Sequence, residues 1–317
     1  MKKDGVRVFR WYVFLVGLFV GNLAFAQNTP QFTQYYFDPL HFNPAIAGID
    51  QGLSATVIYR QQFFGLAGAP TTGLLNVHAP IEKFKSGLGL TVLSDRIGNF
   101  NTIQAAPAYA YRIRRGVNLL QLGIAPVITS ASVQDNWLSV DDRSLDPSIP
   151  NGGLRTTAID FNAGIFYKAG KYFGGLSVTN LSGQYLKLVN LNPTRTLHAM
   201  AGYQFRLGFL PSADWTAGVL YKMPLGVAGA QWEVNLSTLL RDAVSLGATV
   251  RDGNIFAGII GYQVYMPVGK LRLGYAFDYA TGPLQQTHKG SHEIAINYQY
   301  TITKTTESER YKNVRFL

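Results

Sequence analysis

Residues 271–280 read LRLGYAFDYA and residues 293–303 read EIAINYQYTIT. In the first, Leu271, Leu273, Tyr275, Phe277 and Tyr279 fall on one face of an extended chain, and Arg272, Gly274, Ala276 and Asp278 on the other. In the second, Ile294, Ile296, Tyr298, Tyr300 and Ile302 oppose Glu293, Ala295, Asn297, Gln299 and Thr301. Side chains alternate along a strand, so a strict period of two marks a strand with two different surroundings. A tilted strand crosses a bilayer in about 10 residues, whereas strands of soluble sandwiches run nearer ~6. One large, apolar face and one small or polar face is the pattern of a lipid-facing wall around a lumen.

The same rule holds upstream. Ile159, Phe161, Ala163, Ile165 and Tyr167 alternate with Asp160, Asn162, Gly164 and Lys168. Trp215, Ala217, Val219 and Tyr221 alternate with Thr216, Gly218 and Lys222, and Trp232, Val234 and Leu236 with Glu233, Asn235 and Ser237. Further candidates lie near residues 53–62, 71–79, 87–94, 101–113, 118–133, 171–179, 197–206, 244–250 and 255–265. The fold class expected is all-β, a transmembrane antiparallel β-barrel of about 14 strands, an even number as bacterial outer-membrane barrels prefer. Pro107 and Pro126 lie inside two of these strands, where a missing N–H predicts bulges. With both termini periplasmic, the longest connections, near residues 134–156 and 180–196, fall on the extracellular side and short ones such as 114–116 on the other, as such barrels show.

Composition agrees. Apolar residues make up 47% of the 317 and charged ones 15%, with 18 Tyr, 19 Phe and 33 Gly. Cysteine is absent, which excludes disulfides, a thiolate nucleophile and Cys metal ligands. The net charge of +10 suits an anionic surface or acidic partner, but its bases are scattered, which argues against nucleic acid. Lys2, Lys3, Arg7 and Arg10, an apolar stretch over 11–20, and Ala24-Phe25-Ala26 before Gln27 describe a secretory signal peptide, so the mature chain is expected to start at Gln27. The domain plan expected is 1–26 signal peptide, 27–52 N-terminal periplasmic segment, 53–303 barrel and 304–317 C-terminal periplasmic tail.

Chemistry-bearing motifs are missing. The run from His288 to Glu293 lacks the i, i+4 pairing that sets two imidazoles on one metal. Asp135, Asp141, Asp142 and Asp146 miss the spacing of a calcium loop. Gly87-Leu88-Gly89 opens no dinucleotide fingerprint. His78 and His198 sit on different strands with no local signature of a nucleophile and its base. No catalytic residue, cofactor or metal is therefore expected, and glycines within strands are expected where a barrel lumen is crowded.

One segment remains, QFTQYYFDPLHFNPAIAG at 31–48. Asp38 and Asn43 can cap two turns, Pro39 and Pro44 suit first helical positions that need no N–H, and Gly48 can close the second in the left-handed region. The segment resembles the start of the PorP/SprF family of outer-membrane proteins in the type IX secretion and gliding systems of Bacteroidetes, with Asp38 for the commoner Asn. Weaker likenesses are Tyr59-Arg60-Gln61-Gln62-Phe63, which departs from the Trp often found there, Pro70-Thr71-Thr72, and Gly290-Ser291-His292-Glu293. The resemblance implies a non-enzymatic accessory component that helps deliver or retain an exported, adhesin-like cargo bearing a C-terminal sorting domain. Its implied partners are outer-membrane lipids and the peptidoglycan-linked periplasmic machinery. A porin-like or hydrophobic-solute channel is the alternative, although a lumen dominated by Gly, Ala, Ser, Asn and Gln suggests a filled or narrow interior. Two roles for Asp38, Pro39, Asn43, Pro44 and Gly48 stay open: a plug in the barrel's periplasmic mouth, or part of a docking surface for a periplasmic partner.

Overall fold

The computed structural model describes residues 30–50, 52–134, 154–183, 193–226, 229–252, 254–281 and 289–301. The leader, its cleavage site at Gln27, the acidic loop at 135–146, His288 and the tail at 304–317 lie outside the described residues. Strands follow in chain order: β1 (Gly52–Gln61), β2 (Thr71–Ile81), β3 (Ser86–Ile97), β4 (Phe100–Arg115), β5 (Asn118–Val133), β6 (Leu154–Ala169) and β7 (Tyr172–Thr179). Then come β8 (Thr196–Leu207), β9 (Leu210–Pro224), β10 (Gln231–Leu240), β11 (Val244–Arg251), β12 (Ile255–Met266), β13 (Gly269–Ala280) and β14 (Ser291–Thr301). Each pairs antiparallel with its neighbours in sequence, and β1 pairs β14 from Gly52↔Thr301 to Gln61↔His292, which closes a barrel of 14 strands.

Alternation sorts the side chains as the sequence predicts. Tyr275 and Ile296 face outward, 40% and 44% exposed, while Asp278, Glu293, Ala295 and Asn297 are buried in the lumen. Near the end where β1 begins and β14 finishes, here the basal end, outward tyrosines and aromatics gather. Tyr172 stacks on Tyr203 at 4.6 Å between ring centres, and Tyr203 on Phe205 at 5.7 Å. Such girdles mark the rims of a lipid-facing band.

The prolines behave differently from expectation. No bulge forms at either one. The β4–β5 ladder lapses between Ala105↔Ile128 and Tyr109↔Ile124 and resumes in the same register. That register sets Pro107 opposite Pro126, so the two missing N–H groups fall in a single gap. Each proline keeps its pairing on the other side, with Leu90 and Phe161. Among the described residues, the one shift of register lies between Arg206 and Leu207 in the β8–β9 pair.

Connections divide by end. Basal turns occupy 82–85, 116–117, 170–171, 208–209, 241–243 and 267–268, and the long connections at 62–70, 134–153, 180–195 and 281–290 are all at the opposite, distal end. Two-residue hairpin turns need positive φ, which Gly116 and Gly170 supply at 60° and 56°.

The outward register carries a first expectation. Tyr275→Arg or Ile296→Arg should lower the folded, heat-modifiable fraction on a gel, because a cation near the midplane costs about 2–4 kcal/mol. Arg272→Gln faces the lumen and should fold nearly as well as the parent. Equal losses on both faces would contradict the register.

Candidate functional site

The lumen is not empty. Residues 30–50 run through it as three single 3-10 turns, Tyr35–Phe37, Pro39–His41 and Pro44–Ile46. Both expected caps form. The Asp38 carboxylate accepts from the Leu40 N–H at 3.1 Å and the Asn43 amide oxygen from the Ala45 N–H at 2.9 Å. Pro39 and Pro44 follow as first residues of their turns, and Gly48 sits at φ 68°. Phe32, Leu40, Phe42, Ala45 and Ile46 are buried, and these apolar side chains hold the segment together as a core inside the barrel.

The same residues also bind the wall. Asp38 accepts from Thr56 Oγ1 at 3.0 Å, the Asn43 Nδ2 donates to the Ile165 carbonyl at 3.0 Å, and Ser177 Oγ donates to the Phe42 carbonyl at 2.6 Å. Asp38, Pro39, Asn43 and Pro44 lie deeper in the barrel than the mouth expected for them, while Gly48 lies near the basal rim against Gly87 and Ala79; what the structure shows all five touching is the barrel's own strands. The reason is a bed of glycines. A Cβ at Gly123 would collide with the backbone of Pro44 and Ala45, and one at Gly164 with the Asn43 amide. Only glycine lets two backbones approach so closely.

A charged cluster fastens the front of the segment at distal depth. Arg60 of β1 pairs with Asp278 of β13 at 2.6 Å and with Glu293 of β14 at 3.0 Å. Arg251 of β11 pairs with Glu233 of β10 at 2.7 Å and with Asp278 at 3.3 Å. Glu293 accepts two consecutive backbone N–H groups, from Thr33 at 2.8 Å and Gln34 at 2.7 Å. The Thr33 hydroxyl donates to Asp278 at 2.7 Å and accepts from Arg60 and Arg251. Gln31 bonds Gln231 and Arg251. Every one of these charges is at most 4% exposed along its side chain. A lumen of mostly small and amide residues was expected, and this cluster is an addition to it. Charges so deeply buried persist only when paired, and the pairing here still leaves Arg60 Nε and Glu233 Oε1 without a hydrogen-bond partner among the described residues. Nearby, burial and then the Glu233 carboxylate push the Tyr35 phenol above its usual range, so it stays protonated.

Two cavities flank the segment. The distal one, about 360 Å³, has Leu40, His41, Phe42 and Pro44 as its floor and Leu93, Phe100, Ala125 and Val127 among its walls. The basal one, about 700 Å³, is roofed by Tyr35, Tyr36, Phe37 and Pro39. They share no lining residue. The two imidazoles weighed from sequence are apart in role. His78 lies 3.7 Å from Asp38, and His198 pairs in register with Ser177, whose hydroxyl is already given to Phe42.

The family model described as type IX secretion system membrane protein PorP/SprF matches residues 24–298. The chain belongs to the PorP/SprF family. It is a type IX secretion-associated component of the outer membrane. No curated protein sequence matches it significantly. Among solved structures it is similar to the CymD monoaromatic hydrocarbon channel, with a TM-score of 0.52 at 12% identity over 84% of this chain and 93% of that one. It is also similar to the Ralstonia pickettii toluene transporter TbuX, with a TM-score of 0.50 at 10% identity over 83% and 93%. At such identities the likeness is one of fold. The stretches that carried the PorP/SprF resemblance meet in space: Arg60 from one, Glu293 from another, and Gln31, Thr33 and Gln34 from the first. Asp278, Glu233 and Arg251 escaped notice as a group, although the period-two pattern had already placed Asp278 and Glu233 inward.

Proposed function

We propose that this PorP/SprF barrel is a non-enzymatic accessory of type IX secretion, with its basal end periplasmic, that helps deliver or retain a specific exported cargo at the cell surface. Pro30 and Gln31 lie at the distal end, so the periplasmic placement expected for the N-terminal segment is not carried into this reading. The observation that carries it is the occupied lumen: a segment capped twice, bedded on glycines and clamped by five charged side chains lies between two cavities that share no lining residue among the described residues. Such a barrel offers binding surfaces rather than a conduit. Purified protein in a planar bilayer should stay closed, and cargo should co-purify from detergent-solubilised outer membrane. Steady large openings would reject the reading.

The alternative is a hydrophobic-solute channel, favoured by the apolar walls of the distal cavity and by the named transport roles of CymD and TbuX. The same bilayer measurement separates the two.

Orientation has its own test. Ser182 is exposed at the distal end and Ser212 at the basal end. A cysteine at Ser182 should react with an impermeant maleimide on whole cells, and one at Ser212 only after the outer membrane is opened. The reverse pattern would invert the barrel.

Caps can be weighed separately from the wall. Asp38→Ala with Asn43→Ala removes two caps worth about 1 kcal/mol each, together with the bonds to Thr56 and Ile165. The closed ladder should survive, so folded barrel should persist at near-parental abundance while limited proteolysis cuts the N-terminal segment faster. Unchanged proteolysis would show that the clamp alone holds it.

A further inference from the structure

At the basal mouth, among the described residues, bases outnumber acids. Arg114 on β4 and Lys168 on β6 flank Leu119 in one row of the ladder, Arg114↔Leu119↔Lys168↔Phe173, so the two bases stand two strands apart, about 10 Å. Side chains directly opposite share a face. Leu119 is buried and Phe173 lines the basal cavity, so Arg114 and Lys168 point to the lumen. Lys171 and Arg272 line that cavity, and Lys270 lies two residues from Arg272 on the same inward face. Of the acids at this end, Glu82 pairs with Arg112 and Asp214 with Arg206, Asp242 on the 241–243 turn faces Arg206, and Asp50 accepts from Gln299 and lies within electrostatic reach of Lys270 and Arg272. Among the described residues, Arg114, Lys168, Lys171 and Lys270 have no carboxylate within ion-pair distance.

Bilayer headgroups are poor candidates as their counterions, since they lie outside the wall and these bases face inside it. We infer that the basal mouth is a docking funnel for an acidic segment of a partner protein, which would enter the 700 Å³ cavity beneath Tyr35, Tyr36 and Phe37. This rests on the accessory reading above, with the basal end periplasmic, and adds the chemistry of the partner.

The test uses the full-length barrel in zwitterionic detergent and fluorescein-labelled polyglutamate, followed by anisotropy. Polyglutamate should bind and polylysine should not. Binding should fade between about 0.1 M and about 1 M salt, as the screening length shrinks from ~10 Å to ~3 Å. Arg114→Gln with Lys168→Gln should weaken binding at least about tenfold, whereas Arg96→Gln with Arg155→Gln at the distal end should not change it. Gel heat-modifiability confirms that both variants are folded, and Lys270→Gln alone serves if the first pair is not. Equal weakening by basal and distal pairs, no binding at low salt, or loss of binding in nanodiscs containing anionic lipid would each overturn the inference. Absent peptide binding with cargo delivery intact removes the funnel and leaves the accessory role. A conducting barrel removes the accessory role whatever the peptide does.

Discussion

Glu293→Ala should unseat the N-terminal segment while the barrel wall remains folded. The carboxylate accepts the N–H groups of Thr33 and Gln34 and pairs with Arg60, so its removal leaves two buried donors unmet and a buried guanidinium with Asp278 shared against Arg251. Breaking a buried pair from one side costs about 3–5 kcal/mol, far more than the pair's net contribution when intact. The loss should appear in three readings: faster proteolysis within residues 30–50, a lower unfolding midpoint, and openings in a planar bilayer where the parent is closed. Arg206→Ala breaks a pair that is open to solvent, with 69% and 45% side-chain exposure, and should leave all three unchanged. If Glu293→Ala behaves like Arg206→Ala, the cluster does not hold the segment.

Gly123→Leu should have the larger effect on conductance. Its Cβ would be driven into backbone atoms of Pro44 and Ala45, which no rotamer can relieve. Overpacking where side chains can adjust costs about 1–3 kcal/mol. Here the segment must leave its bed, giving up the burial of Phe42 and Ile46, each worth about 1.5–3 kcal/mol. The expected product is a folded barrel with an open lumen, seen as steady conductance and as sensitivity of cells to large antibiotics. Gly258 is the control. A Cβ there meets nothing within 4 Å, so Gly258→Ala should assemble and stay closed. A closed, protease-resistant Gly123→Leu barrel would contradict the bed of glycines.

The strands were legible because their signal is local: Tyr275 out and Arg272 in follows from adjacent positions alone. The caps were legible for the same reason, since Asp38 and Asn43 reach N–H groups two residues on. The prolines misled because Pro107 and Pro126 each suggest a bulge when read singly. Only the register shows that they face one another and leave a shared gap. The depth of the N-terminal segment was hidden for a related reason. Gly123 and Gly164 read as room in a crowded lumen, but nothing near them in sequence says which backbone fills it. Arg60 and Glu293 were visible as separate, weak likenesses to a family. Their meeting depends on how β1 and β14 line up at closure, which alternation within either strand does not encode.

The contact from Thr33 to Glu293 spans 260 residues, nearly the whole length of the described chain. Asp278 and Glu293 both arrive on the final hairpin. Before β13 and β14 are in place, Arg60 has neither of its carboxylates, and Thr33 and Gln34 have no acceptor for their N–H groups. The strands that make the ladder a ring are thus the ones that bring the acceptors for the front of the segment. Circularisation and fastening share one hairpin, so a barrel lacking it would be left both open-edged and without its inner latch.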